Sequence, residues 1–299
     1  MRIVMTGATS GIGLEAAKQM LREAGCSLVV AARNPDTAPP LLQQRAELQA
    51  VELADLHSVR CFADRLVNQT PIDALVLNAG IQCAAHRVSV DGYELTFAVN
   101  HLAHYLLLRL LGPQVSPGGR IVVTSSGTHD PLENTKLPAP RHASAQRLAH
   151  PGSDPDADKN RLKAAQLAYT SSKLCNVMTV RELTKRVSET RPDLSICAFD
   201  PGLTPGTGLA RNYPWPLGAI FKHILPLIAR GSARVSTPAA SGRLLAALVT
   251  SPEYQTMRGD YFAVRDGELK RILPSRLAQD DEACEALWIE SSRLLKMPA

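Results

Sequence analysis

From its first residue to about residue 265 the chain alternates short apolar runs with longer helical patterns, and few folds satisfy that alternation. Runs such as Leu28-Val29-Val30-Ala31, Ala74-Leu75-Val76-Leu77 and Ile121-Val122-Val123 present no polar face. Parallel strands covered on both sides read this way. Strands are expected near 2–6, 27–32, 48–53, 73–77, 119–125, 194–199 and 260–264, and helices near 12–24, 56–69, 93–112, 165–190, 235–250 and 281–296. Right-handed crossovers would wind these elements into an α/β fold, a single doubly wound sheet of about seven parallel strands with helices on both faces. No internal repeat and no linker separates two cores, so one domain over 1–299 is expected.

Composition removes several alternatives. The 299 residues are 45% apolar and 20% charged, a globular rather than disordered balance. The net charge of +5 is not gathered into a basic stripe and aromatic residues are only 4%, so nucleic-acid binding is not expected. Cys26, Cys61, Cys83, Cys175, Cys197 and Cys284 have no CxxC or zinc spacing. They read as reduced thiols of a cytoplasmic protein. Met1 to Met5 run straight into a glycine-rich loop, leaving no room for a signal peptide. The longest apolar stretch, Trp215 to Ala229, is interrupted by Pro216, Lys222, His223 and Pro226, so no membrane span is expected.

Two segments break the rhythm. Residues 127–164 carry Pro131, Pro138, Pro140, Pro151 and Pro155 and are too long for an ordinary strand-to-helix connection. Residues 201–234 begin with Pro-Gly turns and continue into an apolar run containing Trp215, Phe221, Ile224 and Leu225. Each follows a strand, so both should overhang the carboxyl edge of the sheet, where such folds bind ligands. Their apolar groups imply a bulky, mainly hydrophobic small-molecule substrate.

Between the first strand and first helix lies Thr6-Gly7-Ala8-Thr9-Ser10-Gly11-Ile12-Gly13. Glycines permit a tight turn and close approach of backbone to a pyrophosphate, which the amides opening the helix would then hold. At the head of a strand–helix–strand unit this pattern marks a Rossmann-type dinucleotide site. Cofactor choice is read after the second strand, where a carboxylate would bind the adenosine ribose. Here that place holds Arg33, whose planar cation would clamp a 2′-phosphate, so NADPH/NADP+ is expected rather than NADH. Asp55 and Leu56 would line the adenine, or Asp55 would cap the next helix; the two roles are compatible.

Tyr169 and Lys173 stand four apart and share one helical face. A free phenol titrates too high for acid–base work at neutral pH, and a neighbouring ammonium brings it towards range. A surface pair with no such role has the same spacing. The pair, however, accompanies Gly7…Gly11-Ile12-Gly13, Asn78-Ala79-Gly80, Asn100, Ser125-Ser126 and Pro201-Gly202, in that order over about residues 1–210. In this the chain resembles the short-chain dehydrogenase/reductase family. The resemblance implies Tyr169 as general acid/base and Lys173 as the partner that binds the nicotinamide ribose. It implies Ser126 as the donor to the substrate oxygen and Asn100 as holder of a water that relays protons. Gly7, Thr9, Ser10, Gly11, Ile12 and Gly13 would form the phosphate loop, with Asn78, Ala79 and Gly80 on the adenosine side. Pro201 and Gly202, with Thr204 or Thr207, would hold the carboxamide. Ser125 is the weaker serine because adjacent strand residues face opposite ways.

Within the family, Asn100-His101-Leu102-Ala103-His104-Tyr105, Tyr169-Thr170-Ser171-Ser172-Lys173-Leu174-Cys175-Asn176 and Thr207-Gly208-Leu209-Ala210-Arg211 look like the branch of protochlorophyllide reductases and retinol-dehydrogenase-like enzymes. The protochlorophyllide enzymes follow their Pro-Gly with a cysteine proposed as proton donor, and here that place holds Leu203. A hydride transfer to or from a ketone or alcohol is therefore the expected reaction. A C=C reductase and a non-catalytic dinucleotide-binding regulator are the alternatives. His101 and His104, three apart on a helix, have no third ligand nearby, and no metal is expected. The assembly is expected to be a monomer or homodimer.

Overall fold

The computed structural model describes residues 1–67, 69–205 and 234–299. Among these residues eight strands form one sheet: β1 (Arg2–Thr6), β2 (Ser27–Ala32), β3 (Glu47–Ala50), β4 (Ile72–Leu77), β5 (Val115–Thr124), β6 (Ser195–Asp200), β7 (Arg258–Arg265) and β8 (Glu268–Ile272). Their order is β3-β2-β1-β4-β5-β6-β7-β8. Neighbours through β7 are parallel, and β8 is antiparallel to β7. All seven expected strands are present. The eighth is an addition: Asp266 and Gly267 (φ 52° and 76°) turn the chain back on itself, and β8 follows at the edge. An Asp-Gly pair with both residues left-handed is the turn whose twist suits a two-residue hairpin.

The helices among the described residues are α1 (Gly11–Met20), α2 (Pro40–Arg45), α3 (Leu56–Val67), α4 (Leu95–Phe97), α5 (Ala103–Leu111), α6 (Ala145–Ala149), α7 (Arg161–Val187), α8 (Pro238–Thr250) and α9 (Asp281–Leu294). Alternate residues of each strand feed two cores, as the period-two pleat requires. Ile3, Met5, Val30, Val76 and Phe199 pack on the face covered by α1 and α8. Val4, Leu75, Leu77, Ile121 and Val123 pack on the face covered by α3, α5, α7 and α9. Each face is sealed, so the sheet's functional surface is its carboxyl edge.

The helix expected over 93–112 is not uniform. Between α4 and α5, residues Ala98–Leu102 widen into a π-turn, and Asn100 lies inside it. Such one-turn bulges re-aim side chains and backbone carbonyls. Glu94 begins this stretch by accepting the Phe97 amide at 2.7 Å. Thr207 and the run from Trp215 to Ala229 fall outside the described residues, as does most of the expected segment 201–234.

Candidate active site

The sheet order reverses direction between β1 and β4, which leaves a crevice beyond their carboxyl ends. The loop after β1 turns through Gly7 (φ 70°) and Gly11 (φ 56°), a left-handed backbone that glycine adopts without strain. The crowding is as demanding as the torsions. A Cβ on Gly13 would lie 2.0 Å from the Gly7 carbonyl oxygen, and one on Gly7 would lie 2.7 Å from the Ala79 Cα. Ser10 precedes α1 with an extended backbone and gives no side-chain cap, and the first turn of α1 carries no acidic residue. The amides around Gly11, Ile12 and Gly13 thus open towards the crevice with the positive end of the helix behind them. Thr9 is half-buried and Ser10 exposed at its rim. This cradle fits a dinucleotide pyrophosphate.

Arg33 directly follows β2 and is exposed. After β3, Asp55 caps α3, its Oδ1 accepting the amides of His57 (2.9 Å) and Ser58 (3.2 Å). The Leu56 amide donates to Asp91 Oδ2 at 2.9 Å, and its side chain is buried. Helix capping is therefore the role of Asp55 that these contacts display.

Asn78 ties β4 to the glycine loop and to β5. Its Nδ2 donates to the Gly7 carbonyl at 3.2 Å, and its Oδ1 accepts from Thr124 Oγ1 at 3.1 Å. Two residues on, Gly80 sits against the amine of α7: a Cβ there would be 3.4 Å from Lys173 Nζ and 3.5 Å from Asn100 Oδ1. Asn100 is fully buried and held from two sides, giving Nδ2–H to the Ile81 carbonyl (2.9 Å) and Ser172 Oγ (3.0 Å) and taking the Ile81 amide on Oδ1 (2.8 Å). Ser172 Oγ donates in turn to the Tyr169 carbonyl at 2.7 Å.

Lys173 is 3% exposed and donates to the Thr124 carbonyl at 3.2 Å, with its Nζ 5.9 Å from the centroid of the Tyr169 ring. Burial pulls its ammonium down to about 8, a shift the negative charge of Asp200 opposes. Tyr169 itself is 5% exposed. The serine pair divides as strand alternation requires. Ser125 is buried with its hydroxyl donating to the Lys173 carbonyl at 2.7 Å, whereas the hydroxyl of half-buried Ser126 receives the Thr128 amide at 3.3 Å.

Pro201 and Gly202 follow β6. Gly202 is left-handed (φ 72°), and a Cβ there would meet the Arg234 carbonyl at 2.8 Å. Thr204 is buried and donates towards the Pro201 and Gly202 carbonyls, both at 3.2 Å.

Sequence reasoning passed over a charge cluster beneath this loop. Asp200 Oδ1 accepts the Gly202 amide at 3.0 Å, and its Oδ2 pairs with Arg265 Nη1 at 3.1 Å. Arg265 Nη2 reaches Glu133 Oε1 at 3.0 Å, and Glu133 Oε2 also pairs with Arg234 Nε at 3.1 Å. His129 was missed too; its Nδ1–H donates to the Ser126 carbonyl at 2.7 Å and its Nε2 accepts the Ser275 amide at 3.2 Å. A signal did exist: an aspartate closing a strand as apolar as Ile196-Cys197-Ala198-Phe199 is a charge that needs a partner. His101 and His104 have separate neighbours, Ser291 Oγ at 2.9 Å for the first and Thr6 Oγ1 at 3.0 Å for the second.

Known proteins resemble this chain in sequence and fold. A short chain dehydrogenase family model matches residues 1–134. WW domain-containing oxidoreductase of Danio rerio is 32% identical over 306 residues, covering 98% of this chain and 68% of its own. Retinol dehydrogenase 13 of Homo sapiens is 28% identical over 319 residues, covering 99% and 85%. Protochlorophyllide reductase A of Oryza sativa subsp. japonica is 30% identical over 315 residues, covering 98% and 80%. Among solved structures, an uncharacterised protein of Mycobacterium paratuberculosis superposes with a TM-score of 0.72 at 25% identity, over 100% of this chain and 95% of that one. A protein of Beutenbergia cavernae described as an NAD(P)-dependent gluconate 5-dehydrogenase, with bound NADP, gives 0.64 at 26% identity over 89% and 95%. Relatives of both expected branches thus align along nearly the whole chain, and the protein belongs to the short-chain dehydrogenase/reductase family of oxidoreductases.

Proposed function

We propose that this oxidoreductase uses NADPH to reduce a bulky, mainly hydrophobic ketone, or runs the reverse oxidation of the alcohol. One observation carries the reading: a buried amine, Lys173, lies near the Tyr169 ring and faces Gly80 from the side shared with Asn100, beside a glycine loop that admits no Cβ at Gly7 or Gly13. When bound, the reduced nicotinamide supplies a hydride. The residues of the chain do the rest. Gly7, Thr9, Ser10, Gly11, Ile12 and Gly13 hold the pyrophosphate, and Asp55 and Leu56 with Asn78, Ala79 and Gly80 flank the adenosine. Pro201, Gly202 and Thr204 hold the carboxamide. Ser126 steadies negative charge developing on the substrate oxygen, and the Tyr169 hydroxyl neutralises it with a proton. Lys173 anchors the ribose and favours the phenolate left behind; Asn100 holds the water that returns the proton.

One domain over 1–299 carries this chemistry, with 127–164 as an insertion and 201–234 as a substrate cover. Thr170 Oγ1 pins the insertion to α7 through the Pro138 carbonyl at 2.9 Å. An open cleft of about 490 Å³ lies between the two, where Leu137, Pro138 and Leu162 are outnumbered by polar groups such as Asp130, Asn134, Asn160 and Lys163. Leu203 offers no proton at the place where protochlorophyllide reductases carry cysteine, which favours C=O over C=C chemistry. The packing of α9 across α5 and α7, where Tyr105 donates to the Trp288 carbonyl at 3.0 Å, favours a monomer over a homodimer. The six unpaired thiols favour a cytoplasmic setting. No described helix is long and apolar enough to cross a membrane.

The test is NADPH oxidation, followed by absorbance, against a panel of aromatic and aliphatic ketones. Turnover that rises with apolar bulk is expected; a preference for small charged carbonyl compounds would reject the substrate class. Cofactor choice is tested at one residue. Arg33→Asp is expected to lower the NADPH-over-NADH preference in kcat/KM by at least about tenfold, the loss of one charge-assisted phosphate clamp. An unchanged ratio would remove Arg33 from that role.

A further inference from the structure

We infer that His104 is a positioning residue that locks the dinucleotide loop to the buried Asn100 turn, acting as a neutral imidazole in its Nδ1–H form. This rests on the reading of Gly7–Gly13 as the cofactor cradle. The pair of histidines stood in the sequence without an assigned task, and three contacts give His104 one.

The argument begins at Thr6, the last residue of β1 and 1% exposed. Its Oγ1 accepts the backbone amides of Asn78 (2.9 Å) and Ala79 (3.0 Å). A hydroxyl has two acceptor sites and one proton. With both acceptor sites taken, the proton points to the remaining neighbour, His104 Nε2, at 3.0 Å. Nε2 must then be the bare nitrogen. The other side of the ring gives the same answer independently. Nδ1 lies 3.1 Å from the Asn100 carbonyl, which can only accept, so Nδ1 carries the hydrogen.

Burial holds the imidazole neutral, lowering its pKa to about 4, with the charge of Lys173 acting in the same direction. A proton added at Nε2 would face a hydroxyl whose lone pairs are already in use. His104 thus fixes the Thr6 rotor, which fixes Asn78 and Ala79. Asn78 in turn holds the Gly7 carbonyl of the cradle at 3.2 Å. Through Nδ1 the same ring fixes the π-turn whose side chain lies next to Gly80 and Lys173.

Two substitutions split the ring's two bonds. The amide of His104→Asn reaches about as far as Nδ1 and can still donate to the Asn100 carbonyl, but it abandons Thr6. The longer amide of His104→Gln can present its oxygen to Thr6. NADPH binding is measured by calorimetry on the full chain at pH 7. His104→Asn is expected to bind about tenfold more weakly than wild type, the cost of stranding a buried hydroxyl, and His104→Gln within about threefold of it. Nitrogen-15 NMR of wild-type imidazoles is expected to show the His104 ring, assigned by the signal that disappears in His104→Gln, in the Nδ1–H form with a bare Nε2, the form that the contacts of His129 also impose. Equal affinities for the two variants, a weaker Gln than Asn variant, or an Nε2–H form of the His104 ring itself would each overturn the assignment while wild-type binding leaves the cofactor reading intact. Absence of NADPH heat from wild-type protein would overturn both. Should the Asn variant fail to fold, the NMR form of the wild-type ring decides.

Discussion

Tyr169→Phe is expected to lower turnover with NADPH and a ketone by about 100- to 10,000-fold, the contribution of a positioned general acid. NADPH affinity is expected to stay within about twofold, because the aromatic ring remains and only its polar tip is lost. The ring is 5% exposed, so Phe fills the same volume. What disappears is the phenolic proton of the residue four positions from Lys173. The lysine sharpens the expectation through its own titration. Burial lowers its ammonium to about 8. Below that pH the charge is present and makes the phenol a better acid; as pH rises through it the charge is lost. Wild-type reduction is therefore expected to fall above about pH 8, whereas residual Tyr169→Phe activity keeps no such step. Steady-state kinetics from pH 6 to 10, paired with calorimetric NADPH binding, read both. Unchanged turnover would exclude Tyr169 as the acid. NADPH binding without turnover on any ketone by wild type would instead support a non-catalytic regulator.

The division between what the sequence disclosed and what it concealed follows the range of the interactions involved. The buried strands were legible because a strand covered on both faces must be apolar at every position, as in Ala74-Leu75-Val76-Leu77. The glycine loop was legible because steric demands at Gly7 and Gly13 are written in residue type. β8 was overlooked although its turn signal, Asp266-Gly267, is strong. Its own residues, Glu-Leu-Lys-Arg-Ile, are the charged residues of a sheet edge rather than a buried run. The π-turn at Asn100 has no comparable local mark. Asp200 carried a mark in its apolar strand, but its partners were silent because Arg265 comes from β7 and Glu133 from the turn after β5; 65 residues separate Asp200 from Arg265. Composition records such charges as ordinary surface groups. Only the fold reveals which of them meet.

That buried charge gives the other large expected effect. Arg265→Leu is expected to reduce the free energy of unfolding in urea by about 3–5 kcal/mol, the range for removing one partner of a buried ion pair. Asp200 has a side chain only 3% exposed and Arg265 one 14% exposed, so water screens the contact poorly. Without the guanidinium, the Asp200 carboxylate retains the Gly202 amide but loses its paired cation. Glu133 loses the same partner and retains Arg234. Asp200→Asn in the same chain is expected to recover part of the loss, because an amide is cheaper to bury than an unpaired carboxylate. The change should also register in catalysis. Gly127 lies on Asp200, with a Cβ there only 3.1 Å from Oδ2, so the turn presenting Ser126 shares this support. Glu133 ties the start of the insertion to the same arginine. A rise in substrate KM larger than the fall in kcat is therefore expected in the single variant, since substrate-binding walls move while Tyr169 and Lys173 remain fixed on α7. A urea midpoint equal to that of wild type would show the cluster to be solvated and would leave Ser126 supported by His129 and the Thr128 amide rather than by these charges.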